Sequence, residues 1–443
     1  MQQDQEKDFL MGKDRMKKTK YIILAFMFLF PVVSFCEERI MSLEDCLKAA
    51  QNSQEIKIQE AKVKEYKFKY EYQRGFLFPQ LDASISYLRY GQELPSKKAL
   101  FGSSLDDYYT DISLKQTLFA GGKYSSLADA NRYVFESERE KLNQTRQTVY
   151  LAVKKAYYEQ IRLNYTLKIQ KELICKLKEQ FSITQILYNS GKLSNLDVLK
   201  IKTQIALSED VLANIKESVY TKALVLGQMV GINEPIYASD DLSEQNENIR
   251  INTGCLDNKF RENPEIKYVL KLKEKSNSDI AVSRSDFFPS LQFRANYFLE
   301  DAKFFPGNPN WYAGISVNIP LFHGGSIVSQ VNQAKQKYEQ SAETVKQTEL
   351  SLITRFQSSR ALIVDKKNRL DSAKKVLDLA QETLNATELK YNAGKLTTIE
   401  MIDSYILWIN SQLNYKNNYI DYLIAISEIE YICPTAIIRE AQK

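Results

Sequence analysis

Histidine is almost missing from these 443 residues: there is one, His323. No Cys, Asp or Glu ligand cluster lies near it in sequence, which excludes a histidine-built metal centre or catalytic base. The five cysteines (36, 46, 175, 255 and 433) are far apart and none forms a C-x-x-C pair, so neither a disulfide framework nor a zinc site is expected. No stretch beyond residue 36 approaches 18 consecutive apolar residues. That excludes a spanning helix there and leaves β-structure as the only route into a membrane. Charge of one sign is also lacking. Lys and Arg (60) barely exceed Asp and Glu (55), and without residues 1–36 the balance is 54 against 51, which is not that of a nucleic-acid binder. The segment GGKYSS at 121–126 lacks the G-x-x-x-x-G-K-[ST] spacing of a phosphate loop. No nucleophile–base constellation is present, so neither an enzyme nor a cofactor is expected. Gly (15) and Pro (10) are scarce, which favours long, unbroken helices.

What is present begins with an export signal. Lys17, Lys18 and Lys20 precede 15 apolar residues at 21–35, too short for a comfortable span, and Ser34-Phe35-Cys36 follows as a cleavage site. Residues 1–36 read as a signal peptide. Acylation of Cys36 is the alternative.

The remainder is doubled. YNSGKL (188–193) returns as YNAGKL (391–396), and TLFAGG (117–122) as PLFHGG (320–325), both 203 residues on. FLFPQL (76–81) pairs with DFFPSL (286–291) at an offset of 210, so the second copy has a loop seven residues shorter. Two repeats at 37–232 and 263–432 fill the chain, separated by a polar linker at 233–262 and followed by a tail at 433–443.

Within repeat one, Leu142, Val149, Ala156, Leu163, Gln170 and Leu177 recur every seven residues, with Val153, Gln160, Leu167, Ile174 and Phe181 on the same stripe. This predicts a long helix over 123–190 with a coiled-coil-like seam interrupted by two glutamines, and its counterpart over 325–392. Gly191 stops the first helix, and Ser194 or Asn195 caps the next, at 195–230, with Asp197 in its first turn. The repeated hexapeptide is then a sharp turn between antiparallel helices. The counterpart of 195–230 is 397–432, and one helix over 42–75 opens repeat one.

Before each Gly-Gly lie two segments that alternate with period two. Strands are predicted at 80–90, 109–119, 290–300 and 311–321, each the length of a transmembrane strand. Aromatics bracket them at both ends: Phe76, Phe78, Phe119, Phe287, Phe288 and Phe322 on the helix side, and Tyr90, Tyr108, Tyr109, Phe304, Phe305, Trp311 and Tyr312 on the loop side. Four strands cannot close a barrel, and open edges cannot sit in lipid. The chain is expected to share a barrel with copies of itself.

The duplication, the L-F-x-G-G junctions at 118–122 and 321–325, Pro79 and Pro289 at the strand starts, and the Y-N-x-G-K-L turns together resemble the TolC-like outer-membrane efflux proteins over nearly the whole mature chain. The resemblance implies a mainly α fold with a membrane β-barrel. A homotrimer would build twelve strands, four per chain, continued by a long α-helical coiled-coil barrel in the periplasm, with residues 233–262 and 433–443 in an equatorial belt. It implies a passive exit duct of a tripartite efflux pump or type I secretion system, gated at its periplasmic tip. Partners would be outer-membrane lipid, a periplasmic adaptor (membrane fusion) protein and an inner-membrane transporter of RND, ABC or MFS type. The family's motifs place adaptor docking at Gly191, Lys192, Leu193, Gly394, Lys395 and Leu396, and a tip gate link between Asp197 and Tyr391. They place an acidic aperture ring at Glu400 and Asp403, and barrel–helix junctions at Gly121, Gly122, Gly324, Gly325, Pro79 and Pro289. The family's tip arginine is Leu396 here. The competing reading, a periplasmic coiled-coil adaptor or structural protein, accounts for the helices but leaves four girdled strands without a role.

Overall fold

A computed structural model of the protein describes residues 39–92, 95–102, 104–239, 249–251, 262–434 and 437–439. The chain divides into two units at Arg39 and Ile40, and Arg39 is the only described residue of the first. The signal peptide expected at 1–36, with Cys36, lies outside the described residues.

The first helical segment is two helices rather than the single one expected over 42–75. Ser42 caps α1 (Leu43–Ala50) by accepting from the Asp45 amide, and α2 (Gln54–Gly75) starts afresh after Ser53. Between them, Asn52 and Ser53 donate to Ala49 and Ala50 in tight turns of 2.9 and 3.0 Å. Asn and Ser compete with the backbone for hydrogen bonds and favour such a break.

Strand β1 (Gln80–Arg89) follows. A seven-residue helix that the sequence did not announce, α3 (Pro95–Phe101), sits in the loop before β2 (Asp106–Ala120), and Lys97 ties it to the sheet by pairing with both Asp107 and Glu300. Helix α4 (Lys123–Asn189) runs 67 residues without Pro or Gly, roughly 100 Å at ~1.5 Å per residue. It returns through α5 (Asn195–Val230). In the second half the order is α6 (Pro264–Ser285), β3 (Ser290–Asp301), β4 (Pro309–Asn318), α7 (Ser326–Asn392), again 67 residues, and α8 (Thr398–Ile432).

The four strands form one antiparallel sheet in the order β1-β2-β3-β4. It is open, with β1 and β4 as free edges. β4 stops at Asn318 rather than 321. Pro320 has no amide to donate, and beyond Asn318 there is no ladder partner. β2 instead continues to Ala120 on β3, with a bulge between Thr117 and Phe119.

The helices bury three apolar clusters. One joins α1, α2, α4 and α5 around Cys46, Ile56, Val153, Ile161 and Leu226; a second joins α6, α7 and α8 around Ile266, Phe356, Ile426 and Ile429. The third lies near the turns. The two glutamines of the α4 seam are buried and bonded to α5: Gln160 donates to the Val219 carbonyl (3.3 Å) and Gln170 to that of Ser208 (3.0 Å). They give the helix pair a fixed register where leucine would allow sliding. Asp421 on α8 accepts from Arg162 on α4 (2.5 Å) and Lys366 on α7 (2.7 Å). Burial alone would raise its pKa, but the two cations hold it below the ordinary value.

Cys46 is a free, buried thiol whose pKa is pushed up to about 11, first by burial and then by Asp45, so it is inert. Cys433 is disulfide-bonded, a link that the wide spacing of the cysteines did not announce. Its partner lies outside the described residues.

Candidate functional site

The two repeated hexapeptides fold into the same turn. At the end of α4, Gly191 takes φ 77° and donates to Tyr188 (2.9 Å), while Lys192 donates to Leu187 (2.9 Å). At the end of α7, Gly394 takes φ 71° and donates to Tyr391 (2.9 Å), while Lys395 donates to Lys390 (3.0 Å). This paired i−3 and i−5 pattern terminates a helix only if the residue after the cap adopts positive φ, which glycine does without strain. Lys192 and Lys395 are exposed. Leu193 and Leu396 are half-buried, and Leu396 packs against the cluster of Tyr391, Met401, Tyr405 and Trp408. Leu396 thus anchors the turn by apolar contact.

The structure does not join Asp197 to Tyr391 within the protomer. Asp197 folds back into a capping box, accepting from the Ser194 amide (3.1 Å) and hydroxyl (2.7 Å). Tyr391 is buried in its own hairpin, its hydroxyl 3.4 Å from Thr398 Oγ1. Glu400 repeats the role of Asp197 203 residues later: it accepts from the Thr397 amide (2.7 Å) and hydroxyl (2.8 Å). The donated backbone amide, and then the hydroxyl, lower its pKa. Asp403, one turn further, is exposed beside it. The two carboxylates share one face of α8.

A link that sequence reasoning missed lies just above. Tyr405 donates to Glu388 (3.0 Å) and Ser404 to Thr387 (3.1 Å), both between α8 and α7. The residues 203 positions earlier are Lys202 with Gln185 and Ile201 with Thr184, so the first half of the chain has no tyrosine–carboxylate or serine–threonine pair there. Seventeen residues separate each pair, and only the hairpin's register brings them together.

At the strand–helix junctions, Gly121 and Gly324 both take φ 58°, and Gly122 and Gly325 both take φ 79°. Each pair turns a strand into a long helix. Pro79 and Pro289 precede β1 and β3 after the turns that end α2 and α6. The first junction is packed by residues from the second half of the chain. A Cβ on Gly121 would lie 2.8 Å from Phe288 Cβ and 2.8 Å from the Ser285 carbonyl, and Lys123 pairs with Asp286 at 2.8 Å. The second junction is bare: nothing lies within 4 Å of a Cβ on Gly324 or Gly325. His323 is exposed beside a polar cavity of about 480 Å³ lined by Lys123, Asp286, Gln292 and Ser326. Among the described residues no group of three or more His, Cys, Asp or Glu side chains is arranged to hold a metal. No described helix is long and apolar enough to cross a membrane.

The outer membrane efflux protein family matches residues 47–232 and 257–428. Relatives include the probable efflux pump outer membrane protein TtgC of Pseudomonas putida, 22% identical over 379 residues, 82% of this chain and 75% of that protein. The outer membrane protein TolC of Vibrio cholerae is 20% identical over 372 residues, 80% of this chain and 82% of that protein. The crystal structure of CusC superposes with a TM-score of 0.78 at 15% identity, covering 88% of this chain and 91% of that one. The family match across both halves is to outer membrane efflux proteins and not to a free-standing periplasmic adaptor. The chain belongs to the outer membrane efflux protein family: it is an outer-membrane channel protein with a long helical part in the periplasm, not an enzyme.

Proposed function

We propose that three copies of this chain close a twelve-stranded barrel in the outer membrane, and that the trimer is the exit duct of an efflux pump or type I secretion system. The observation that carries this reading is the pair of unpaired sheet edges. Every residue of β4 and all but one of β1 are exposed in the protomer. Apolar side chains project from both, Leu81 and Ile85 on one, Trp311, Ile315 and Val317 on the other. Unpaired amides on such a surface are untenable in hydrocarbon, and β4 of one copy meets β1 of the next in the antiparallel sense that the sheet already alternates. The bare second junction supports the same assembly. Phe288 packs on Gly121, its counterpart 210 residues earlier is Phe78, and a neighbouring copy's Phe78 turn is the matching occupant for Gly324. Equal lengths, 22 residues for α2 and α6 and 67 for α4 and α7, support descent of the two halves from one duplicated unit.

The tip turns at 191–193 and 394–396 are the docking positions for a periplasmic adaptor. An inner-membrane transporter of RND, ABC or MFS type supplies the energy. Three sets of Glu400 and Asp403 line the aperture, and Asp197 and Tyr391 reach partners across the tip only between hairpins of the assembled mouth. The linker and tail of the belt lie mostly outside the described residues. Light scattering of the full-length protein in detergent, with planar-bilayer recording, tests the duct: a trimer that conducts is expected. A folded monomer, soluble without detergent and silent in bilayers, overturns it.

A further inference from the structure

Lys115 on β2 and Arg294 on β3 are direct partners across the sheet. Both belong to the polar face, with Asp82, Ser113, Asn296 and Ser316, and both are exposed. Like charges directly opposite in an antiparallel ladder destabilise it, so such a pair needs either neutralisation or a use. Neutralisation is incomplete. Arg294 donates its Nε to the neutral Gln292 (2.8 Å) and has no carboxylate partner among the described residues. Among the described residues the only carboxylate partner of Lys115 is Asp82, at 3.7 Å, and both of those side chains are about half exposed or more (47% and 64%). On its other side Arg294 faces Gly314, where the space a Cβ would occupy is open. The row across the sheet therefore reads Gln80, Lys115, Arg294, Gly314: two adjacent cations flanked by a neutral side chain and a gap.

We propose that Lys115 and Arg294 form an anion-attracting collar inside the barrel, selecting solutes that carry a carboxylate or phosphate. The proposal rests on the trimeric duct, because only closure makes the polar face a lumen. Three copies put six cations at one level against three Asp82 carboxylates. Twelve strands about 4.8 Å apart and tilted about 40° enclose a backbone cylinder of roughly 12 Å radius. Lysine and arginine side chains reach several ångströms inward, so a passing ion comes within the Debye length of about 8 Å. The guanidinium fork beside an ammonium matches the oxygens of a carboxylate or phosphate, and the gap at Gly314 leaves the fork accessible.

The test uses purified full-length trimers in planar bilayers, comparing the unmodified protein with Lys115→Gln/Arg294→Gln and, separately, Lys115→Glu. The tip acids are kept in all, so selectivity is read as a difference. In a KCl gradient the double variant should lower the chloride-to-potassium permeability ratio about twofold or more, and the charge reversal further. Millimolar inorganic phosphate should reduce conductance of the unmodified trimer and leave the double variant unaffected. Removing a like-charge contact costs no stability, and heat-resistant trimers on gels confirm assembly. Conducting trimers of both variants with unchanged reversal potential and phosphate response overturn the collar and leave the duct standing. An unmodified protein that forms neither trimers nor channels overturns the duct and the collar with it.

Discussion

The Tyr405 hydroxyl donates to Glu388 Oε1 over 3.0 Å, joining α8 to α7 near the tip, and the phenol is only 5% exposed. Burial first, and then the neighbouring Glu388 charge, hold the Tyr405 pKa above its ordinary value. A phenol with a raised folded pKa contributes stability below the unfolded value of about 10 and loses it as pH climbs toward the folded value. Tyr405→Phe removes one charge-assisted hydrogen bond, while Glu388 is half-buried and regains water. The expected cost is about 1 kcal/mol. Thermal unfolding followed by circular dichroism should show the variant less stable at pH 8, with the gap closing as pH rises above ~10. A gap that stays constant with pH would mean the phenol is not the titrating link.

Gly121 and Gly324 share φ 58° but not their surroundings. Alanine at either pays about 1 kcal/mol for the left-handed backbone. At Gly121 it also meets Phe288 and the Ser285 carbonyl, and such overpacking adds about 1–3 kcal/mol. Within the protomer Gly324→Ala should therefore be the milder change. If a neighbouring copy seats its Phe78 turn there, assembly erases that difference: both variants lower the temperature at which trimers dissociate on gels, and Gly324→Ala does so without matching damage to protomer folding. Trimers of Gly324→Ala as heat-resistant as the unmodified protein would leave that junction without an intersubunit role.

How much of this was written in the sequence depends on the range of the interaction concerned. Period-two alternation in Leu81-Asp82-Ala83-Ser84-Ile85 sets which face each residue takes. The ends of the strands depend on partners, and β4 stops early because Pro320 and the missing neighbour end the ladder together. The seven-residue spacing from Val149 to Leu177 marks an inward stripe, and both of those residues are buried. The break at Asn52-Ser53 is a local competition between caps and helix that a long apolar period hides. Glycine at the turns is legible because positive φ requires it. Tyr405 with Glu388 is not, since their meeting is set by the register of two packed helices. Asp197 and Tyr391 matched a family pattern, and the local capping box and the buried hairpin core took both side chains within the protomer.

Glu400 carries two jobs that one substitution can separate. Its carboxylate closes the capping box on Thr397 and, on the trimeric reading, stands with Asp403 at the aperture. Glu400→Ala removes cap and charge together, so a looser tip would follow from either. Glu400→Gln keeps an acceptor for the Thr397 amide and removes the charge. Combined with Asp403→Asn it should raise single-channel conductance and relax cation selectivity in planar bilayers, with thermal stability close to that of the unmodified protein. Because the donated amide, and then the hydroxyl, of Thr397 lower the Glu400 pKa, its charge persists to lower pH than that of an ordinary glutamate. Selectivity of the unmodified trimer should accordingly hold on mild acidification. An unchanged reversal potential in the Gln/Asn variant would reduce Glu400 to a helix cap, and one that shifts only in Glu400→Ala would trace the effect to tip geometry and not to the field of the carboxylates.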